Sequence, residues 1–375
     1  MLLSSIIKTF GAAFLAQYQG QLLPSHRKAL AAMEICRTRQ SPKMLVGCDE
    51  CDRQTTVPHS CGHRHCPHCQ THESQQWLER QLKKQVPAEY FLITFTLPAE
   101  FRPLAWSHQR QIYSAMIQCC WDTLRTFSQN DKQLQGIPGA IAVLHTHSRC
   151  LDFHPHVHIV MPAAAIDALN GLWRTKRSKP KVKNKIKTKT KTKTKSGYLF
   201  NHKALAKVFR AKMLEAMVQA EFALPARHPE EWVVDCKSVG SGEKALIYLG
   251  RYLYRGVIQE KDIIACKDGE VTFRYQNSKT QQVELKTVSG PQFLWLILQH
   301  VLPKRFRRAR NFGFLHPNNK HSIRLLQYLL KLDLGRTLAW LRKRPTLTCR
   351  GCGGPMKIIK TRIPPLFPWK VAGPT

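Results

Sequence analysis

The chain has 375 residues, 43% of them hydrophobic, with 8 Trp and 16 Phe, enough to bury one large core or two to three smaller ones, which excludes a chain disordered as a whole. Lys and Arg number 59 against 24 Asp and Glu, a net charge of +35 that is spread widely and points to a polyanionic partner. No apolar run approaches the roughly 18 residues of a spanning helix, and Lys8 and Gln17 break the N-terminus as a signal peptide, so a soluble cytoplasmic protein with no membrane partner is expected.

Residues 1–40 carry apolar positions at helical spacing, Ile6, Phe10 and Phe14, then Leu30, Met33 and Ile35, with Pro24-Ser25 as the break between two short helices. There follow Cys48-Asp-Glu-Cys51, His59, Cys61, His63, His65 and Cys66-Pro-His-Cys69. Two CxxC pairs fourteen residues apart come close to the four-thiolate zinc-ribbon pattern, so Cys48, Cys51, Cys66 and Cys69 are expected to hold a structural zinc. Cys36, Cys61 and His65 exceed what one tetrahedral ion needs and are either a second site or spectators. With 13 cysteines clustered this way beside histidines, zinc ligation under reducing conditions is favoured over a disulfide framework.

A polar amphipathic helix is expected at about 73–85. Tyr90-Phe-Leu-Ile-Thr-Phe-Thr-Leu97 reads as a central strand ended by Pro98, and Leu104–Phe127 as a helix. Ala140–His147 and His154–Met161, joined by a short polar turn, read as an antiparallel pair of strands. Lys179 to Lys195 alternates Lys with Thr or Asn and has nothing apolar to bury, so a disordered insertion is expected at 176–196; it is either a clamp on phosphates or a tolerated solvated loop. A helix near 202–222, a strand at 232–236, a helix at about 243–255, three short strands with a Lys267-Asp-Gly269 hairpin turn and a helix at 293–302 follow. Lys304-Arg-Phe-Arg-Arg-Ala-Arg310 is strongly basic, and Cys349-Arg-Gly-Cys352 lies near the end, without obvious partners. The expected class is α+β, an antiparallel sheet flanked by helices plus a small N-terminal zinc module.

In an apolar, β-branched run, His156 and His158 are two apart and project to one face of a strand. A neighbouring strand carries His145, which a strand pairing brings within reach. Imidazoles suit transition metals best, but a phosphate-bound Mg²⁺ or Mn²⁺ tolerates them when substrate oxygens and water complete its shell. Tyr248 and Tyr252 are i and i+4 on a helix and share a face. A phenol with a pKa near ~10 is a poor nucleophile at neutral pH unless a Lewis acid or base lies beside it. The bland alternatives are a satisfied core histidine and tyrosines packed on a sheet.

His156-Val-His158 resembles the His-hydrophobe-His motif of the HUH endonuclease superfamily, and Tyr248-Leu-Gly-Arg-Tyr252 resembles the motif of its two-tyrosine branch. The Cys-rich module, Phe95-Thr-Leu-Pro98, Leu144-His-Thr146, His154-Pro-His-Val-His158, Tyr248-x3-Tyr252 and Phe306-x2-Ala-Arg-Asn-Phe-Gly313 stand in the order seen in rolling-circle transposases of the insertion sequence 91 family. Where that family usually carries Gly-Gly-His, this chain reads Ser41-Pro-Lys-Met-Leu-Val-Gly47, and the Lys/Thr tract is an insertion not associated with the family.

The resemblance implies an HUH-type sheet and three regions: 1–85, a helical lead-in and zinc-binding domain; 88–315, the catalytic domain; and 316–375, a basic C-terminal tail. It implies an enzyme of the bacterial cytoplasm that nicks and joins single-stranded DNA at mobile-element ends and in target DNA. Tyr248 or Tyr252 would form a 5′-phosphotyrosine, with Mg²⁺ or Mn²⁺ on His145, His156 and His158 and Zn²⁺ in the N-terminal module. Exclusion of His154 from the ligand set rests on the resemblance alone, since it alternates onto the same face. Arg251, Arg255, Lys304, Arg305, Arg307, Arg308 and Arg310 are the expected DNA-binding residues, with Trp173, Tyr198, Phe306 and Phe312 as stacking candidates. The alternatives are a replication initiator or relaxase with the same chemistry, and a non-catalytic zinc-dependent DNA-binding protein.

Overall fold

The computed structural model describes residues 2–69, 71–167, 169–176, 198–254, 256–277, 280–332 and 347–364. The Lys/Thr insertion falls outside the described residues, as do Arg255 and the side chains of Arg251, Tyr252 and Tyr254.

In chain order the elements are α1 (Leu3–Tyr18), α2 (Pro24–Glu34), β1 (Lys43–Cys48), β2 (Gln54–Pro58), α3 (Thr71–Leu82), β3 (Tyr90–Thr96), α4 (Arg102–Ser107), α5 (Gln109–Asn130), β4 (Ile137–His147), β5 (Phe153–Pro162), β6 (Ala164–Asp167) and β7 (Leu172–Thr175). After the insertion come α6 (His202–Gln219), β8 (Val234–Ser238), α7 (Glu243–Tyr254), β9 (Ile263–Lys267), β10 (Glu270–Gln276), β11 (Val283–Ser289), α8 (Gly290–Leu298), β12 (Ala309–Gly313), α9 (Lys320–Leu329), β13 (Leu347–Thr348) and β14 (Pro355–Ile363).

The main sheet runs β7-β6-β4-β5-β3-β8, with β12 also paired to β4, and every pairing is antiparallel. Side chains alternate across it, so each strand feeds two cores. Phe91, Ile93 and Phe95 of β3, Ala142 and Leu144 of β4, and Val157 and Ile159 of β5 pack with Ile112 and Met116 of α5 and Phe209 and Met213 of α6. The intervening residues, Leu92, Ile141, Val143 and Val160, face the other way and bury Trp77 of α3 with Leu246, Leu249 and Leu253 of α7. The sheet is therefore sandwiched between α5/α6 and α3/α7.

A third core joins α1, α2 and α8 to the β9–β11 meander. Asp268 and Gly269 have φ of 52° and 80°, the paired left-handed residues that a two-residue turn needs, so the expected hairpin forms there. Two sequence expectations change. The single helix expected over Leu104–Phe127 is two, α4 and α5, parted at His108 with φ −124° and ψ 44°. Within the region expected as a basic C-terminal tail, β14 pairs along β1, giving a small sheet ordered β13-β14-β1-β2.

Candidate active site and zinc-binding module

The β4–β5 register sets His145 opposite His156 and Val143 opposite His158. Odd residues of β4 and even residues of β5 face α7, so the three imidazoles share the side of the sheet that carries the tyrosine helix. Their ring centroids are 5.2 Å (His145–His156), 4.5 Å (His145–His158) and 4.8 Å (His156–His158) apart, and one nitrogen from each lies within 4.8 Å of the other two. Burial holds the pKa of His145 and His156 well below the ordinary histidine range and that of His158 at about 4. All three are thus neutral at pH 7, the form that ligates a metal. His156 donates from Nδ1 to the His154 carbonyl at 2.7 Å, leaving Nε2 as the lone-pair nitrogen, and Thr94 Oγ1 of β3 lies 2.8 Å from His158 Nδ1.

His154 shares that face but stands outside the cluster. Its Nδ1 accepts from Arg102 Nη2 at 2.8 Å, so that nitrogen's lone pair is already engaged by a guanidinium. His147 is also outside the cluster, edge-on to His300 at 5.4 Å. Sequence reading missed Thr94, Arg102 and His300, which lie on β3, at the start of α4 and just after α8 and meet the histidines only through the fold.

Tyr248 is 39% exposed, and its ring lies 6.2 Å from that of His158, edge to face. It borders a 370 Å³ cleft shared with His147, Arg149, Gln259 and Arg274. Helix α7 is held from behind by α3: Ser74 donates to the Gly250 carbonyl at 2.8 Å, and a Cβ at Gly250 would sit 3.3 Å from the Trp77 ring. At the end of that helix a Cβ at Gly256 would meet the His65 carbonyl at 3.0 Å and Pro67 at 3.2 Å. The helix bearing Tyr248 thus rests on the Cys66–Cys69 knuckle and on the helix that the knuckle starts.

Among the basic candidates, Arg308 turns inward. Its Nη1 donates to the Leu253 carbonyl of α7 at 3.4 Å, and its charge helps to depress His145. Arg305, Arg307 and Arg310 line a 1100 Å³ groove with Arg80, Lys84 and Arg110, among others; among the described residues its lining holds no carboxylate. Lys304 is exposed and its carbonyl accepts from Arg110 at 2.5 Å. Of the stacking candidates, Phe306 is buried beneath the Arg310 guanidinium and Phe312 stacks on Trp121 at 5.1 Å, while Trp173 packs edge-on to Phe314. Tyr198 is 53% exposed.

The cysteines group differently from the expected quartet. Cys36, Cys61, Cys66 and Cys69 converge in one cluster, with Cys36 Sγ 3.4 Å from Cys69 and 3.5 Å from Cys66. Cys48 and Cys51 join Cys349 and Cys352 in another. Cys36 is delivered by the end of α2 and Cys61 by the loop after β2, so short sequence spacing did not select the partners. His65 is not a member; its Nε2 accepts from the Leu302 amide at 3.2 Å. Neither cluster needs the histidine missing from 41–47, which instead leads into β1.

Comparisons with known proteins agree with this architecture. The family model described as "Transposase zinc-binding domain" matches residues 6–97, and one described as "Putative transposase" matches residues 139–322. The Sinorhizobium fredii protein "Putative transposase y4qJ" is 30% identical over 336 residues, covering 83% of this chain and 79% of its own. The "Transposase for insertion sequence element IS801" of Pseudomonas savastanoi pv. phaseolicola is 26% identical over 273 residues, 72% of this chain and 64% of that protein. A solved structure of conjugative relaxase TrwC in complex with oriT DNA matches 65% of this chain and 72% of its own at 12% identity with a TM-score of 0.25, too loose a likeness to position any residue. With both family models matched in order and the y4qJ relative spanning most of the chain, this protein belongs to the insertion sequence 91 family of transposases and carries their N-terminal zinc-binding domain.

Proposed function

We propose that this transposase nicks and joins single-stranded DNA at mobile-element ends through a 5′-phosphotyrosine intermediate. The observation that carries the reading is the placement of Tyr248 beside His158, on the face where three neutral imidazoles converge. His145, His156 and His158 would hold a divalent ion, Mg²⁺ or Mn²⁺, which when bound supplies a Lewis acid for the scissile phosphate. Three neutral nitrogens leave coordination positions for phosphate oxygens and water, and the neighbouring Arg308 favours an ion whose charge is shared with a bound phosphate.

In the chemical step the Tyr248 or Tyr252 oxygen forms a bond to phosphorus as the bond to the 3′-oxygen breaks. The phenol proton is balanced by the proton gained at the released 3′-hydroxyl. The phosphotyrosine conserves the phosphodiester bond energy, so rejoining to another 3′-hydroxyl needs no nucleotide hydrolysis. Two tyrosines permit a second cleavage before the first is resolved. The groove lined by Arg80, Arg110, Arg305, Arg307 and Arg310 offers a path for the phosphate backbone.

The test is incubation with labelled single-stranded DNA carrying the element ends, with Mn²⁺ or Mg²⁺. A detergent-stable protein–DNA adduct is expected from the wild type and none from the Tyr248→Phe/Tyr252→Phe double variant. An adduct that survives in the double variant overturns the mechanism. Absence of any adduct with the correct ends favours a non-catalytic DNA-binding protein.

A further inference from the structure

The Cys48–Cys51 turn lies at the β1 end of the β1–β2 hairpin, and the Cys349–Cys352 turn lies between β13 and β14. Strand β14 runs antiparallel to β1, pairing Met356 with Cys48, Ile358 with Val46 and Ile363 with Lys43. That register brings the turns face to face, with Cys48 Sγ 3.4 Å from Cys352 Sγ and Cys51 Sγ 3.6 Å from Cys349 Sγ. All four sulfurs lie within 4.8 Å of one another, near the ~3.8 Å edge of a tetrahedron built on Zn–S bonds of about 2.3 Å.

The backbone is arranged as thiolate ligands require. Gly351 and Gly354 amides donate to Cys349 and Cys352 sulfurs, each at 3.4 Å, and Gly353 takes φ 77° to close the turn. A Cβ at Gly354 would lie 2.3 Å from Glu50 Oε2, so the two turns pack against each other there. Arg53 and Arg350 share a cavity with Cys349, and Lys357 pairs with Asp49, supplying cations beside a centre whose four thiolates and one Zn²⁺ sum to a charge of −2.

Among the described residues this four-stranded sheet has almost no core. Most of β14 and β2 is exposed, and its buried side chains are essentially Val46 and two of the cysteines themselves, Cys48 and Cys349. Small units without a hydrophobic core depend on metal or cross-links.

We propose that Cys48, Cys51, Cys349 and Cys352 bind a second zinc ion, distinct from that of Cys36, Cys61, Cys66 and Cys69, which ties the β1–β2 hairpin to the β13–β14 turn. Two of its ligands lie beyond the residues matched by either family model. The site therefore joins segments of the chain 298 to 304 residues apart.

Zinc analysis of the dialysed full-length protein tests this. Two zinc ions per chain are expected, falling to one in Cys349→Ser/Cys352→Ser and, independently, to one in Cys66→Ser/Cys69→Ser. One ion per wild-type chain, or two retained in the Cys349→Ser/Cys352→Ser variant, overturns the proposal. If that variant does not fold, Co²⁺ substitution of the wild type decides: two ions per chain with sulfur-to-cobalt charge-transfer bands of tetrahedral four-thiolate sites are expected, and one such ion overturns it. Non-reducing peptide mapping that finds disulfides joining these turns overturns it as well.

Discussion

His145 stands directly opposite His156 across the β4–β5 ladder, with ring centroids 5.2 Å apart, so one antiparallel register sets the geometry of the whole histidine cluster. Thr94 of β3 reaches the same cluster through His158 Nδ1. Groups that orient a ligating imidazole typically alter metal affinity by about 10–100-fold. Thr94→Val is expected to weaken Mn²⁺ binding by roughly that factor, measured by calorimetry, with nicking restored at high Mn²⁺. His156→Ala is expected to abolish nicking at any Mn²⁺ concentration, while His154→Ala, whose nitrogen is held by Arg102, retains it.

Tyr248 is exposed enough that losing its hydroxyl removes little packing. Tyr248→Phe is expected to change stability by less than about 0.5 kcal/mol, so an adduct lost in this variant at an unchanged melting temperature separates chemistry from folding.

Gly313 ends β12 with φ +58°, and a Cβ there would lie 1.7 Å from the Pro138 carbonyl oxygen. Backbone strain and overlap act together, so Gly313→Ala is expected to cost about 2 kcal/mol or more. Urea denaturation reads the destabilisation; a midpoint equal to wild type contradicts it.

If the basic groove between α3, α5 and the 305–312 segment carries the DNA backbone, as the proposed function requires, its contacts are to phosphates. Arg110→Ala/Arg310→Ala is expected to weaken binding of unrelated single-stranded oligonucleotides alike and to lower the slope of log affinity against log salt by about 0.7 for each phosphate no longer neutralised. An unchanged salt slope removes this groove from the DNA path.

His26 is fully buried beside Trp106 and Trp295, and burial lowers its pKa to about 4 from an ordinary 6.5. Between those values the unfolded chain binds a proton that the folded chain does not. The contribution of neutral His26 to stability is thus complete above about pH 6.5 and is lost as pH falls toward 4. His26→Asn is expected to take up about one proton fewer on unfolding at pH 5, with the difference gone at pH 7.5, as read from the pH dependence of the urea midpoint. Other buried histidines, among them His65 and His300, shift the same way and steepen the acid transition of both proteins equally.

Local periodicity carried much of the site in the sequence itself. The two-residue alternation of β5 put His156 and His158 on one face and the β-branched runs located β3, β4 and β5, while the contact of Tyr248 with His158 came from the packing of α7. Partner choice between distant segments was decided only by the tertiary structure, because it depends on which strand edges pair. Cys48-x2-Cys51 and Cys66-x2-Cys69 look like one zinc ribbon by spacing, but pairing of β14 with β1 gives Cys48 and Cys51 to Cys349 and Cys352, and the end of α2 gives Cys36 to Cys66 and Cys69. The same holds for His154, whose alternation matches its neighbours and whose Nδ1 is engaged by Arg102, 52 residues upstream, brought in by α4.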